Sequence, residues 1–125
     1  MILALLVAAA VMQPADDDPV ENACYERDPS QQAMNRCAGD AYERADKALN
    51  VQWKRVLDAY GDDAKTRKLA LDSQRAWLKY RDAHCELAAS DSIGGSMWPM
   101  LNSGCLASMT RQRTAELKAL IDGVE

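Results

Sequence analysis

The sequence predicts an all-α fold, a small antiparallel three-helix bundle fastened by two disulfides. Three observations lead there. Apolar residues recur at the three- and four-residue spacing of one helical face over three long stretches, and no stretch alternates with the two-residue period of a strand. Gly61 and the Gly94-Gly95 pair fall between those stretches, where turns are needed. The four cysteines are an even number in a chain of 125 residues, the pattern of a small exported domain stapled covalently. At that length, with 48% hydrophobic residues, one modest core is available and no second domain is indicated.

The opening MILALLVAAAVMQPA is an apolar run closed by Pro14 and the acidic Asp16 to Asp18. It falls short of the ~20 apolar residues that cross a bilayer. Residues 1–15 read instead as a signal peptide, with small residues at Ala8, Ala9, Ala10 and Ala15, although no Lys or Arg precedes the apolar core. Residues 16–27, acidic and containing Pro19, read as a linker to a helical domain over 28–123. VENAC before Cys24 lacks the small apolar residues that precede a lipidated cysteine, so no stable membrane anchor is expected and the location is periplasmic or secreted.

Asp28 as N-cap, Pro29 at N1 and Gln31 at N3 predict the start of the first helix. Its apolar face runs through Met34, Cys37, Ala41, Ala45, Ala48, Leu49, Trp53, Val56, Leu57 and Tyr60. Gly61 stops it and Asp62 or Asp63 caps the next helix, which extends to about Ala88. That second helix has Ala70, Ser73, Trp77, Tyr80, Arg81, His84 and Ala88 near one side, broadened by Leu71, Leu78 and Cys85. SDSIGGSMWP breaks the pattern, and a third helix starts near Met97 to Pro99 with Leu101, Cys105, Leu106, Met109, Arg113, Leu117, Leu120 and Ile121 inward.

A hairpin folded at Gly61 brings residues equally distant from it to one height, and Cys37 and Cys85 are each 24 residues away. All four sulfurs then gather at one end, so proximity leaves the pairing open. Cys24 with Cys37 and Cys85 with Cys105 is favoured, because each closes a local loop across a break; Cys37 with Cys85 and Cys24 with Cys105 is the rival.

The balance of 15 basic and 19 acidic residues, net charge −4 with the basic residues scattered, argues against nucleic acid and favours encounter with a cationic partner. Chemistry is poorly supplied. His84 and Cys85 are sequence neighbours that a helix turns about 100° apart, and the single histidine and absent C-x2-C pairs leave neither a nucleophile nor a zinc site. No catalytic residue, metal or cofactor is expected. The hairpin rule assembles Asp46, Arg75, Arg81, Asp82 and Arg113 into an interhelical polar cluster, read first as salt bridges and arginine stacking on Trp77 and, more sharply, as a presentation of Arg81 to a partner.

QQAMNRC (Gln31 to Cys37), ADKALN (Ala45 to Asn50), QRAWLKYRDAHC (Gln74 to Cys85), GGSM (Gly94 to Met97) and CLASMTRQRTAELKAL (Cys105 to Leu120) together resemble the LprI-type lysozyme inhibitor domain. The resemblance spans about Cys24 to Leu120. It implies an exported helical domain, usually of the bacterial envelope, in a family named for members that inhibit lysozyme. With the acidic charge balance, the expected function is inhibition of a cationic lysozyme-type muramidase by occluding its cleft, with no chemistry of the chain's own. The lipid-attachment cysteine of lipoprotein members is missing from this sequence. Within that frame the loop offers Met97 and Trp98 as apolar anchors and Ser92 and Ser96 as polar tips for binding, while the plainer reading has Met97 and Trp98 covering the end of the core. The alternative function is a non-inhibitory envelope module that binds another protein or cell-wall fragments.

Overall fold

Local capping decides where three of the helices begin. Asp18 accepts hydrogen bonds on Oδ1 from the N–H groups of Val20 (3.0 Å) and Glu21 (3.2 Å), and Pro19 fills the first position, where its missing N–H costs nothing. Ser30 Oγ accepts from the Ala33 N–H at 3.2 Å, and Asp63 accepts from the Thr66 N–H at 3.0 Å. In the computed structural model, which describes residues 18–123, these caps delimit α1 (Pro19–Arg27), α2 (Gln31–Tyr60) and α3 (Ala64–Ala88). A short 3-10 turn, Ser90–Ser92, then leads to α4 (Trp98–Ile121). The described residues contain no strand, and the expected signal segment, 1–15, lies outside them.

Among the described residues the fold is all-helical as expected, with four helices where three were predicted. The additional one is α1, in the segment read as a linker. Its short length and lack of an apolar stripe hide it from periodicity, and its two ends are held by the Asp18 cap and by Cys24. The cap of α2 is Ser30 and not Asp28, because Asp28 turns onto the Ser30 N–H at 2.9 Å and Pro29 therefore lies before the helix. Gly61 ends α2 with φ at +53°, a value that favours glycine, and its N–H donates to the Leu57 carbonyl at 3.2 Å.

Most of the packing is between α2 and α4; α4 meets α3 less extensively, and α2 and α3 touch little. One end of the α2–α4 seam is made of Ala41, Ala45 and Ala107, with Tyr42 packed against them. At the other end Leu49, Val56, Leu117 and Ile121 form the main apolar cluster, flanked by Trp53, Tyr60 and Trp77. Small residues at the first end let the two backbones approach, and branched residues fill the second, as close-packed interiors require. Contacts run in the same sense along α2 and α4, from Asn35 with Ser96 to Val56 with the Leu117–Ile121 turn. Along α3 they run in the opposite sense to α4, from Gln74 with Arg113 through Arg81 with Thr110 to Cys85 with Cys105.

Two cystines complete the frame. Cys24 pairs with Cys37 (Cα–Cα 5.8 Å) and Cys85 with Cys105 (Cα–Cα 5.6 Å), the favoured pairing of the two that sequence left open. The first fastens α1 to α2 and the second fastens α3 to α4.

Candidate binding surface

The second helix of the predicted hairpin carries the polar residues that matter, and its geometry sorts them. Arg81 is 6% exposed, so its charge must be met internally. Its Nε and Nη2 donate to Asp82 Oδ1 at 3.0 and 2.9 Å, and its Nη1 donates to Thr110 Oγ1 at 3.3 Å. The guanidinium also stands over the Trp77 ring at 5.3 Å and the Tyr42 ring at 5.5 Å. Arg81 thus bridges α2, α3 and α4 from the inside, with little of its side chain at the surface. Arg113 does similar work nearby. It donates to Gln74 Oε1 (2.9 Å) and Ser73 Oγ (3.1 Å), pairs with Glu116 (3.1 Å) and lies 5.7 Å from the Trp77 ring centre.

Two members of the predicted cluster are elsewhere. Asp46 is half-buried on α2 and makes no ion pair or hydrogen bond among the described residues. Arg75 is exposed and acts electrostatically on Asp72 of its own helix. The hairpin rule fails for them because α4 takes up most of the inner face of α2 and keeps α3 away from it. Sequence reasoning also missed Gln74, Thr110 and Tyr42, the partners that satisfy the two arginines. Gln74 is spaced i, i+3 and i, i+7 from Trp77 and Arg81, a signal that could have placed it on the buried face.

A second polar group anchors α1. Asp18 pairs with Arg44 at 2.9 Å, and Arg111 lies 3.8 Å from Glu21 and 4.0 Å from Asp18. Burial works against ionisation of Asp18, but the Arg44 guanidinium and the helix N–H groups of Glu21 and Val20 outweigh it and hold the carboxyl below its usual range. Tyr25 donates to Glu21 at 2.6 Å; burial, reinforced by that carboxylate, pushes the phenol pKa well up.

The loop between α3 and α4 is wound as successive turns. Ser92 N–H donates to Ala89 O (3.0 Å), Ile93 N–H to Ser90 O (3.3 Å), Gly95 N–H to Ser92 O (2.9 Å) and Trp98 N–H to Gly95 O (3.3 Å). A side chain at Gly95 would stand 3.2 Å from that Ser92 carbonyl, and Gly94 has φ at +80°. The Asn35 amide clamps the loop to α2 by donating to the Ser96 carbonyl at 2.9 Å. Of the predicted contacts, Ser96 and Met97 are exposed, Ser92 is half-buried and Trp98 is half-buried as the first residue of α4. Ile93, not singled out from the sequence, is the most exposed apolar side chain of the loop at 65%.

Two clefts flank this end. One, about 370 Å³, is lined by Asp82, Glu86, Ile93, Trp98, Asn102 and Leu106. The other, about 380 Å³, lies between α3 and α4, with Trp77, Tyr80, His84, Gln112 and Glu116 on its walls. His84 is exposed with its ring tilted 34° against that of Tyr80, and its neighbour Cys85 is held in a cystine. Among the described residues no group of three His, Cys, Asp or Glu could hold a metal ion, and no helix is long and apolar enough to cross a membrane.

A helical frame with these cystines is what the family model "Lysozyme inhibitor LprI" matches, over residues 22–117. This chain belongs to the LprI family. The match takes in both cystines, the arginine–tryptophan centre and the loop. A relative from Rhizobium meliloti (strain 1021), an uncharacterised protein, is 41% identical over 133 residues, which cover 98% of this chain and 95% of the relative. No solved structure matches the chain. The LprI family is named for inhibition and not for catalysis, so a lysozyme is the partner class that membership implies.

Proposed function

We propose that this LprI-family chain is exported to the periplasm or beyond, and there inhibits a lysozyme-type muramidase by occluding its cleft. The observation that carries the reading is the family match over residues 22–117. Muramidases of this kind act through two carboxylates flanking the scissile bond, so a protein that fills the approach to them stops catalysis without chemistry of its own. The loop from Ser92 to Trp98 is the contact surface in this reading: Met97 is 47% exposed, Ser96 is exposed beside it, and the turn hydrogen bonds fix the loop before any encounter. A net charge of −4 hastens capture of a cationic enzyme. The test is lysis of cell-wall suspensions followed by turbidity. A molar excess of the oxidised chain slows lysis by at least one lysozyme class; no slowing across several classes rejects inhibition.

One observation favours the alternative, a non-inhibitory module that binds cell-wall fragments. The cleft of Trp77, Tyr80, His84, Gln112 and Glu116 sets aromatic rings beside amide and carboxylate groups, the mix that sugars stack on and hydrogen-bond to. Binding of soluble muropeptides by a chain that slows no lysozyme would establish it.

A further inference from the structure

The cleft under the loop has an apolar wall of Ile93, Trp98 and Leu106 and an acidic edge of Asp82 and Glu86. Arg81 holds only Oδ1 of Asp82, and does so from a buried position, while the Asp82 side chain itself is 65% exposed. Glu86 is exposed and makes no ion pair or hydrogen bond among the described residues. The indole Nε1 of Trp98, in the same wall, is buried without a hydrogen-bond partner. A donor left unpaired there is costly, and an incoming carbonyl would relieve it. Apolar wall, open carboxylates and an unmet donor together fit a long cationic side chain attached to a peptide backbone.

We infer that this cleft takes an arginine side chain of a cationic protein partner. Its methylene stem lies against Ile93 and Leu106, its guanidinium stacks near Trp98 and bonds to Glu86 and the free oxygen of Asp82, and its backbone supplies a carbonyl for Trp98 Nε1. A planar, always-charged fork suits two carboxylates beside an aromatic ring better than an ammonium does. The inference rests on the inhibitory reading for the identity of the partner. The inhibitor grips a basic residue on the enzyme's rim, in addition to laying its loop over the cleft.

The test uses the oxidised full chain, labelled with ¹⁵N so that the indole N–H signals of Trp53, Trp77 and Trp98 can be followed, with Trp98→Phe to assign the third. The probes are acetyl-arginine N-methylamide, its uncharged citrulline counterpart, and a cationic lysozyme. The arginine probe shifts the Trp98 signal saturably, the citrulline probe does not, and Glu86→Lys abolishes the shift while weakening lysozyme inhibition about tenfold or more at an unchanged melting temperature. Equal shifts by both small probes, no shift, or inhibition untouched by Glu86→Lys overturns the inference and leaves inhibition standing. A selective shift in a chain that slows no lysozyme keeps the arginine cleft and removes the lysozyme.

Discussion

On α2 and α4, which share the main seam, the buried residues are nearly all apolar: Ala33, Cys37, Ala38, Ala41, Ala45, Leu49 and Val56 from α2, and Ala107, Leu117 and Ile121 from α4. Helix α3, of similar length, buries only Gln74, Arg81 and Cys85, while Leu69 and Leu87 are exposed at 62% and 72%. The seam is held by area removed from water, and α3 by a cystine, two arginines and the ring of Trp77. A helix fastened at a few polar and covalent points leaves much of its surface free. That free surface, with the loop that follows it, is where both clefts lie.

The contrast can be broken from either side. Leu117→Ala, in the seam, is expected to cost about 3 kcal/mol, the transfer and cavity terms together, measured as a shift of the urea midpoint. Replacing Cys85 and Cys105 with Ser should cost a similar amount, about 3 kcal/mol by loop entropy, but with a different signature: amide exchange accelerates in α3 far more than in α2. Arg81→Lys is expected to cost about 1–2 kcal/mol, because an ammonium cannot hold Asp82, Thr110 and two rings at once. Asp18→Ala, which removes the cap and the Arg44 pair of α1, should cost about 1 kcal/mol at neutral pH. Because the folded carboxyl ionises below its usual range, this contribution is complete above the unfolded value of about 3.9 and is lost as pH falls through the lower folded value, so variant and parent converge in acid. Leu69→Gln, on the bare face of α3, should change stability by less than about 0.5 kcal/mol.

The same contrast decides what could be read from sequence. On α2 the three-and-four spacing of Cys37, Ala41, Ala45, Leu49 and Val56 names its buried face, because burial there follows apolarity. On α3 the spacing put Tyr80 and His84 inside, and both are exposed. A helix held through Gln74 and Arg81 shows its buried side as polar residues; the spacing took in Arg81, and a hydrophobic pattern passed over Gln74. On α4 the predicted Leu117 and Ile121 are buried, but Leu101 and Leu120 are exposed, and Ala107 and Thr110, not predicted, are completely buried. A seam of small residues wants alanine and threonine at its closest approach, and their low hydrophobicity hid them. The cystine pairing followed from chain breaks. The placing of Asp46 in the polar cluster failed, because a hairpin rule assumes adjacent helices and α4 displaces α3 from the inner face of α2.

Hydrogen exchange of the oxidised chain, alone and with a cationic lysozyme in excess, asks the deciding question directly. Recognition by the end of α3 and the loop that follows it predicts new protection over Asp82 to Asn102 and none in the Leu49–Val56 stretch of α2. Protection centred on the α2–α4 seam, or no change with any lysozyme, would contradict it.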